Sequence, residues 1–186
     1  YKISTNSATS ELKDMQTVTS DTLAYIEKMK KLGNKYLIGQ TTGFEALDKK
    51  TTGFNEGDLV IIAARPAMGK TALVLNMALK NVERGKGVIF FSLEMPAEQL
   101  MLRMLAAKTS IPLQNLRKGD MDDKEWSNLS AAFDDLNSKK LFVDDGGSIN
   151  INQLRARVRK LAQIQENNIS LVVIDYLQLM QGLGNK

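Results

Sequence analysis

The stretch that decides the fold lies at residues 61–71 and reads Ile61-Ile62-Ala63-Ala64-Arg65-Pro66-Ala67-Met68-Gly69-Lys70-Thr71. It continues an apolar run that begins at Leu59, and an apolar-periodic segment from Thr71 to about Val82 follows it. The run predicts a buried strand over residues 59–64, and the periodic segment predicts a helix. A strand, a loop ending in Gly-Lys-Thr and a helix together form the phosphate-binding P-loop arrangement.

The loop predicts a nucleotide site because its groups suit an anion. Backbone N–H groups of the loop and of the helix N-terminus converge on one point and favour negative charge there. Gly69 lets the backbone approach phosphate oxygens, Lys70 is a positive charge that reaches the β- and γ-phosphates, and the Thr71 hydroxyl is a hard ligand suited to Mg²⁺. The expected phosphate-binding residues are Arg65, Pro66, Ala67, Met68, Gly69, Lys70, Thr71 and Ala72.

Two positions of the loop are unusual. Ala64 stands where the common G-x-x-x-x-G-K-[ST] pattern has glycine, and Pro66 has no N–H to donate to a phosphate. The alternative is a chance Gly-Lys-Thr after a buried strand. The predicted strand and helix on either side favour nucleotide binding.

Composition limits the chemistry of the chain. Its 186 residues, 43% of them hydrophobic, indicate one domain, with or without an appendage. The absence of cysteine and histidine excludes disulfides, Cys/His zinc sites and imidazole catalysis within this chain, so a general base must be a carboxylate or a lysine. A net charge of +4 permits a nucleic-acid partner but indicates one only weakly. No apolar stretch has the length of a membrane span.

Apolar runs and helical patterns alternate along the rest of the chain. Strands are expected over 88–93, 141–143 and 171–174, and helices over 96–108, from 122 onward and over 151–165. Asp122 with Glu125 is expected to start the second of these helices as a capping box, and Asn150 is expected to cap the third. This alternation predicts an α/β fold with a mainly parallel sheet and helices on both faces. Ligand-binding groups then gather at the carboxyl ends of the strands.

Residues 1–35 are predicted to form a linker with an interface helix. Thr19 or Ser20 is expected to cap this helix, which runs to Leu32 and ends at Gly33. Its partial apolar stripe consists of Leu23, Ile26 and Met29. The helix either packs on its own domain or docks on a neighbouring subunit, and the sequence leaves both open.

Two carboxylates end predicted strands. Asp175 follows four apolar residues, which is the Walker B pattern of a buried strand that delivers a carboxylate to Mg²⁺ or its waters. Glu94 ends the run over 88–93 and is suited to orient and deprotonate an attacking water. The alternative for Glu94 is a carboxylate favoured by the N-terminus of the helix that starts at Pro96.

Three further features leave alternatives open. Gln178, three residues past Asp175, either senses the γ-phosphate or is an ordinary loop residue. Arg103, within an apolar helix segment, is expected to form a structural ion pair with a neighbouring carboxylate rather than to act in catalysis. The basic side chains of the helix over 151–165 form a solvated face or contact phosphates or another subunit; they are Arg155, Arg157, Arg159 and Lys160.

Three successive stretches closely resemble the motifs of DnaB-type replicative DNA helicases. They are Ala64-Arg65-Pro66-Ala67-Met68-Gly69-Lys70-Thr71, Phe91-Ser92-Leu93-Glu94-Met95 and Ile174-Asp175-Tyr176-Leu177-Gln178-Leu179-Met180. The pattern over 43–58 also looks like the start of that family's ATPase core, and the resemblance spans about Thr41 to Met180. It implies a RecA-like P-loop ATPase core preceded by a linker helix, in a family that tolerates Ala64.

The resemblance also implies an activity and roles for the site residues. A hexameric ring would hydrolyse ATP with Mg²⁺, translocate along single-stranded DNA and unwind duplex at the replication fork. Lys70 and Thr71 would bind phosphate and Mg²⁺, Glu94 would be the catalytic base, Asp175 the Walker B carboxylate that shares the metal with Thr71, and Gln178 the γ-phosphate sensor. Primase and a helicase loader would bind other parts of the parent protein, in the cytoplasm of a bacterium or of a phage-infected bacterium, with no membrane.

The resemblance further implies a division into residues 1–35 and 36–186, with the chain stopping just past Walker B. A chain that lacks the C-terminal part of the ATPase domain is expected to bind nucleotide but to hydrolyse it poorly. Two other readings compete, a recombinase-like RecA-fold ATPase and a non-hydrolysing nucleotide-binding scaffold or loader. The Arg65-Pro66-x-Met68 pattern and the run Asp175 to Gln178 argue against the first. The second is disfavoured by the presence of all four of Lys70, Thr71, Glu94 and Asp175.

Overall fold

The computed structural model describes residues 13–31 and 37–180. The chain divides into two compact units, residues 1–36 and 37–186. In the first unit, helix α1 spans Met15–Lys31. It begins before the predicted Thr19 or Ser20 cap, because the Asp14 carboxylate accepts the N–H of Thr17 at 2.8 Å and caps the helix there. The predicted end at residues 32–33 lies outside the described residues.

The second unit alternates helices and strands much as the sequence predicts. Its helices and strands are α2 (Glu45–Thr51), α3 (Lys70–Glu83), β1 (Gly87–Ser92), α4 (Ala97–Thr109), α5 (Leu113–Lys118), α6 (Asp123–Asn137), β2 (Leu141–Asp144), α7 (Ile151–Ala162) and β3 (Ile169–Asp175). Short 3₁₀ helices lie between α7 and β3, at Gln165–Asn167, and after β3, at Leu177–Leu179. Helix α5 was not predicted, and α7 ends three residues before the predicted residue 165.

The sheet is parallel, with strand order β2-β1-β3. All six residues of the central strand β1 are buried. Successive β1 side chains point to opposite faces: Val88 and Phe90 pack in one cluster with α3 and α4, and Ile89 and Phe91 pack in another with Leu154 of α7. The predicted α/β fold with helices on both faces of a parallel sheet is therefore confirmed.

The strand predicted over residues 59–64 is wrong. The segment has no strand assignment, and Leu59 and Ile61 are 87% and 74% exposed. Within the described residues, β3 pairs only with β1. A strand is stable when a neighbour satisfies its backbone N–H and C=O groups, and an apolar run alone does not specify that neighbour.

A buried polar network fastens the segment before the P-loop to α3. The buried Asp48 carboxylate accepts the Thr41 hydroxyl at 2.5 Å and both the N–H and the hydroxyl of Thr42, at 2.8 and 2.6 Å. Asn81 of α3 donates to the Thr41 carbonyl at 2.8 Å. The carboxylate thereby fixes the threonines against the helix that carries the P-loop lysine.

Replacing Asp48 with alanine is expected to lower the free energy of unfolding by about 3 kcal/mol, because buried donors of Thr41 and Thr42 lose their acceptor. Urea denaturation at pH 7 measures the loss. The matched control is Asp58→Ala, which removes an exposed carboxylate that accepts the N–H of Asn55. We expect that change to lower the free energy of unfolding by about 1 kcal/mol or less.

The Asp48 effect should depend on pH. Burial raises the pKa of Asp48. The hydrogen bonds from Thr41 and Thr42 and the charge of Arg84 lower it by more, so the net pKa lies below the ordinary value of an aspartate. A carboxyl whose folded-state pKa is depressed stabilises the fold above its unfolded pKa of about 3.9 and loses that contribution as pH falls through the folded pKa. The difference between wild type and Asp48→Ala should therefore shrink below pH ~4. An equal difference at pH 7 and pH 3 would contradict this account.

Candidate nucleotide-binding site

The P-loop backbone is arranged to receive an anion at the start of α3. Gly69 caps the helix with φ 84° and offers no side-chain acceptor to its first N–H groups. Those N–H groups and the positive end of the helix favour a bound anion. A Cβ on Gly69 would meet no described atom within 4 Å. Crowding therefore does not require glycine here; the left-handed φ does. Ala67 is also left-handed, with φ 62°.

Asp175 brings the P-loop and the end of β3 together. Its side chain is only 2% exposed. The Thr71 hydroxyl donates to Oδ2 of Asp175 at 2.5 Å, and Nζ of Lys70 lies 3.3 Å from Oδ1. These two residues of the P-loop therefore contact a carboxylate more than 100 positions away in the sequence.

The oxygens of this cluster fit a magnesium ion. Oδ1 of Asp175 is buried and makes no hydrogen bond with a described residue, although the Lys70 ammonium is near it. Oδ1 is therefore a hard oxygen, close to the Thr71 hydroxyl, whose lone pairs are still able to bind a cation. No group of three His, Cys, Asp or Glu side chains in the described part of the chain could hold a metal. Magnesium suits such a place, because it binds one or two carboxylates together with waters and substrate phosphates.

Tyr176 contributes a contact that the sequence analysis missed. Nζ of Lys70 lies 4.1 Å from the centroid of the Tyr176 ring. A cation over an aromatic face is attracted to the ring quadrupole. The ammonium group is therefore held between the ring and the Asp175 carboxylate. The position of Tyr176 directly after the Walker B carboxylate is the signal that could have found it.

Glu94 lies just beyond β1 and forms no hydrogen bond or ion pair with the cluster. Its side chain is exposed and has no hydrogen bond or ion pair with residues 13–31 or 37–180. The cap of α4 comes instead from Asp145, which accepts the N–H of Ala97 at 2.9 Å. The Leu93 N–H donates to the Asp175 carbonyl at 2.9 Å, so the backbone places Glu94 one residue from a direct link to Asp175.

The other candidates lie outside the cluster. Gln178 is exposed in the 3₁₀ helix Leu177–Leu179. Arg103 has a buried Nε without a hydrogen bond and forms no ion pair in the described part of the chain, so its expected ion pair is not found there. Arg157 of α7 pairs with Asp144, while the other basic side chains of α7 are exposed.

Comparison with known proteins identifies the family. Residues 39–186 match the family described as the DnaB-like helicase C terminal domain. The chain belongs to this family. It is 43% identical over 182 residues to the replicative DNA helicase DnaB of Helicobacter pylori (strain ATCC 700392 / 26695). The matched region covers 98% of this chain and 37% of that protein. The resemblance to DnaB-type helicases is confirmed.

Further relatives agree with this assignment. The replicative DNA helicase DnaC of Bacillus subtilis (strain 168) is 42% identical over 180 residues, covering 96% of this chain and 38% of that protein. A solved structure of an ATPase domain superposes with a TM-score of 0.81 at 27% identity, over 89% of this chain and 59% of that one. A DnaB-like replicative helicase, described with its interactions with primase, superposes with a TM-score of 0.78 at 26% identity, over 95% of this chain and 42% of that one.

The cluster therefore lies in a replicative helicase ATPase domain, which is a nucleotide-binding domain. The chain spans less than two fifths of the length of the Helicobacter and Bacillus relatives. Among the described helices, none has the length and apolar character needed to cross a membrane.

Proposed function

We propose that this chain is part of the ATP-hydrolysing motor of a hexameric replicative DNA helicase. In this proposal Mg-ATP hydrolysis drives translocation along single-stranded DNA and the unwinding of duplex at the replication fork. The contact of Lys70 and Thr71 with the buried Asp175 carboxylate carries the proposal. It supports a site where phosphate and magnesium bind side by side.

Each group has a part in the proposed hydrolysis. The backbone of residues 65–72 and the Lys70 ammonium hold the phosphates, and Thr71 and Asp175 hold Mg²⁺. When bound, Mg²⁺ supplies positive charge to the β- and γ-phosphate oxygens. Glu94 takes the proton of the attacking water, since the chain has no histidine for that role. Gln178 senses the γ-phosphate from the 3₁₀ helix after β3.

The proposal includes the division at residues 35 and 36, which the compactness of the two units supports. Residues 1–35 are the linker with the interface helix, and 36–186 are the N-terminal part of the RecA-like domain. Leu23, Tyr25 and Ile26 of α1 are 54–58% exposed, which supports docking on a neighbouring subunit of a homohexamer.

The proposed partners follow from the relatives. Primase and a loader bind other parts of the longer protein, and the DnaB-like helicase described with primase supports the first of these. Bacterial relatives support a location in bacterial cytoplasm or in a phage-infected bacterium.

Single-stranded DNA is expected to raise ATP turnover by the full-length protein severalfold, because a motor couples hydrolysis to movement on its track. The stimulation should weaken as salt increases, since binding to the phosphate backbone releases counterions. Steady-state phosphate release with oligo(dT), and with blunt duplex as the control, measures it. Turnover that ignores DNA would favour another RecA-fold ATPase. Bound ATP without turnover would favour a scaffold or loader.

A further inference from the structure

Glu94 has no side-chain partner to fix its direction. Its carboxylate is exposed and makes no hydrogen bond or ion pair with the described residues. A general base must lie within hydrogen-bond reach of the proton it accepts, and a shift of about 1 Å can lower a rate by about 10²-fold. The direction of Glu94 therefore depends on the backbone turn that carries it, residues 92–97.

Two contacts hold this turn close to β1 and β3. The buried Ser92 hydroxyl donates to the Met95 carbonyl at 2.6 Å, across the turn. The Leu93 N–H donates to the Asp175 carbonyl at 2.9 Å and continues the β1–β3 ladder by one residue. The Met95 side chain also packs against the core between the sheet and helices α3 and α4. The first half of the turn is thereby fixed.

The side chain of Asp145, just past β2, holds the second half of the turn. Asp145 follows β2, which flanks β1 on the side away from β3, and its Oδ2 accepts the N–H of Ala97 at 2.9 Å. Pro96 occupies the N-cap of α4 and supplies no side-chain acceptor. A carboxylate near a helix N-terminus is also favoured by the helix dipole. Glu94 thus lies between a backbone link to the end of β3 and a side-chain link to the end of β2.

We propose that Asp145 is a positioning residue for Glu94, acting through the N–H of Ala97 at the start of α4. It does not touch nucleotide; it fixes the turn from which Glu94 reaches the attacking water. This inference rests on the proposed function, in which Glu94 is the base.

The first test is Asp145→Ala in the full-length protein. The kcat for ATP should fall about tenfold, as expected for a displaced catalytic group, while KM changes less than about twofold, since Lys70 and Thr71 are untouched. Asp145→Asn should keep most of the turnover, because the amide oxygen still accepts the Ala97 N–H. Unchanged kcat in Asp145→Ala, with Glu94→Gln inactive, would overturn the inference.

A second variant removes the same bond from its donor side. Ala97→Pro deletes the N–H, and proline is tolerated at the first position of a helix; Pro96, at φ −60° and ψ 151°, already has the extended backbone that a residue before proline requires. It should reproduce the kcat loss in a folded protein. The matched control is Asp122→Ala, which removes the carboxylate that accepts the N–H of Glu125 and caps α6. That change should lower Tm without lowering kcat.

A double mutant separates positioning from a merely structural role. If Asp145 acts through Glu94, adding Asp145→Ala to Glu94→Gln should leave the residual single-turnover rate unchanged. A further tenfold fall would show an independent effect and would overturn the inference. Undiminished turnover in Glu94→Gln alone would instead remove the proposed base, which is a failure of the proposed function.

Discussion

Glu94→Gln is expected to lower kcat for ATP by about 10²–10⁴-fold, the range that a positioned general base contributes. Glutamine keeps the size of the side chain but cannot accept the proton. ATP binding should change little, because Glu94 forms no hydrogen bond or ion pair with Lys70, Thr71 or Asp175. Phosphate release in the presence of single-stranded DNA and equilibrium binding of a labelled nucleotide measure the two quantities.

The matched control for Glu94→Gln is Glu98→Gln, the same change on an exposed side chain in the first turn of α4. That variant should keep the wild-type kcat, since Glu98 lies within the helix, past the turn of residues 92–97. Full turnover in Glu94→Gln would contradict the assignment. The base would then have to be another carboxylate or a lysine, because the chain contains no histidine.

The helices that the sequence predicts best have their start signals in adjacent residues. Asp122 and Glu125 form the predicted capping box of α6, and Asn150 caps α7 as predicted, with Gln153 completing a second box. Such caps are local, so four residues suffice to place them. Helix α5 was missed because its six residues are too few to show a helical period.

The strands show that the local sequence does not determine which segments pair in the sheet. The apolar runs that became β1, β2 and β3 each have a parallel partner, whereas the equally apolar run over residues 59–64 has none among the described residues. Hydrophobicity predicts a tendency toward burial, but strand pairing depends on which segment lies alongside. The loop and α3 were predicted correctly even though the strand before them was not.

The same distinction applies to the site. The Gly-Lys-Thr of the P-loop and the aspartate after an apolar run are local patterns, so the sequence predicts Lys70, Thr71 and Asp175 as site residues, and the structure brings their side chains together. The contacts of Asp145 and Tyr176 were not predicted, because they depend on how strands and helices meet, although the position of Tyr176 next to Asp175 is a local signal. The Asp145–Ala97 bond joins residues 48 positions apart, and no spacing rule indicates it.

Asp175→Asn is expected to raise the Mg²⁺ concentration needed for nucleotide binding by about 10–100-fold. Losses of metal affinity of this size are typical when a group around a bound metal is replaced. Asparagine keeps an oxygen that accepts the Thr71 hydroxyl but removes the negative charge that attracts the cation. Nucleotide binding titrated against Mg²⁺ measures the shift. Thr71→Val should shift the titration in the same direction, and Thr71→Ser, which keeps the hydroxyl, should shift it much less.

Without Mg²⁺, Asp175→Asn should bind nucleotide as tightly as wild type or slightly more tightly. The Lys70 ammonium lies 3.3 Å from the Asp175 carboxylate and is 25% exposed. Removing the carboxylate charge also removes its competition with phosphate for the Lys70 ammonium, so we expect the nucleotide affinity to rise by about a few fold. The fold should not suffer, because the change neutralises a buried carboxylate whose Oδ1 makes no hydrogen bond with the described residues. Loss of Mg²⁺-free binding together with a lower Tm would mean that Asp175 supports the structure of the loop rather than the metal.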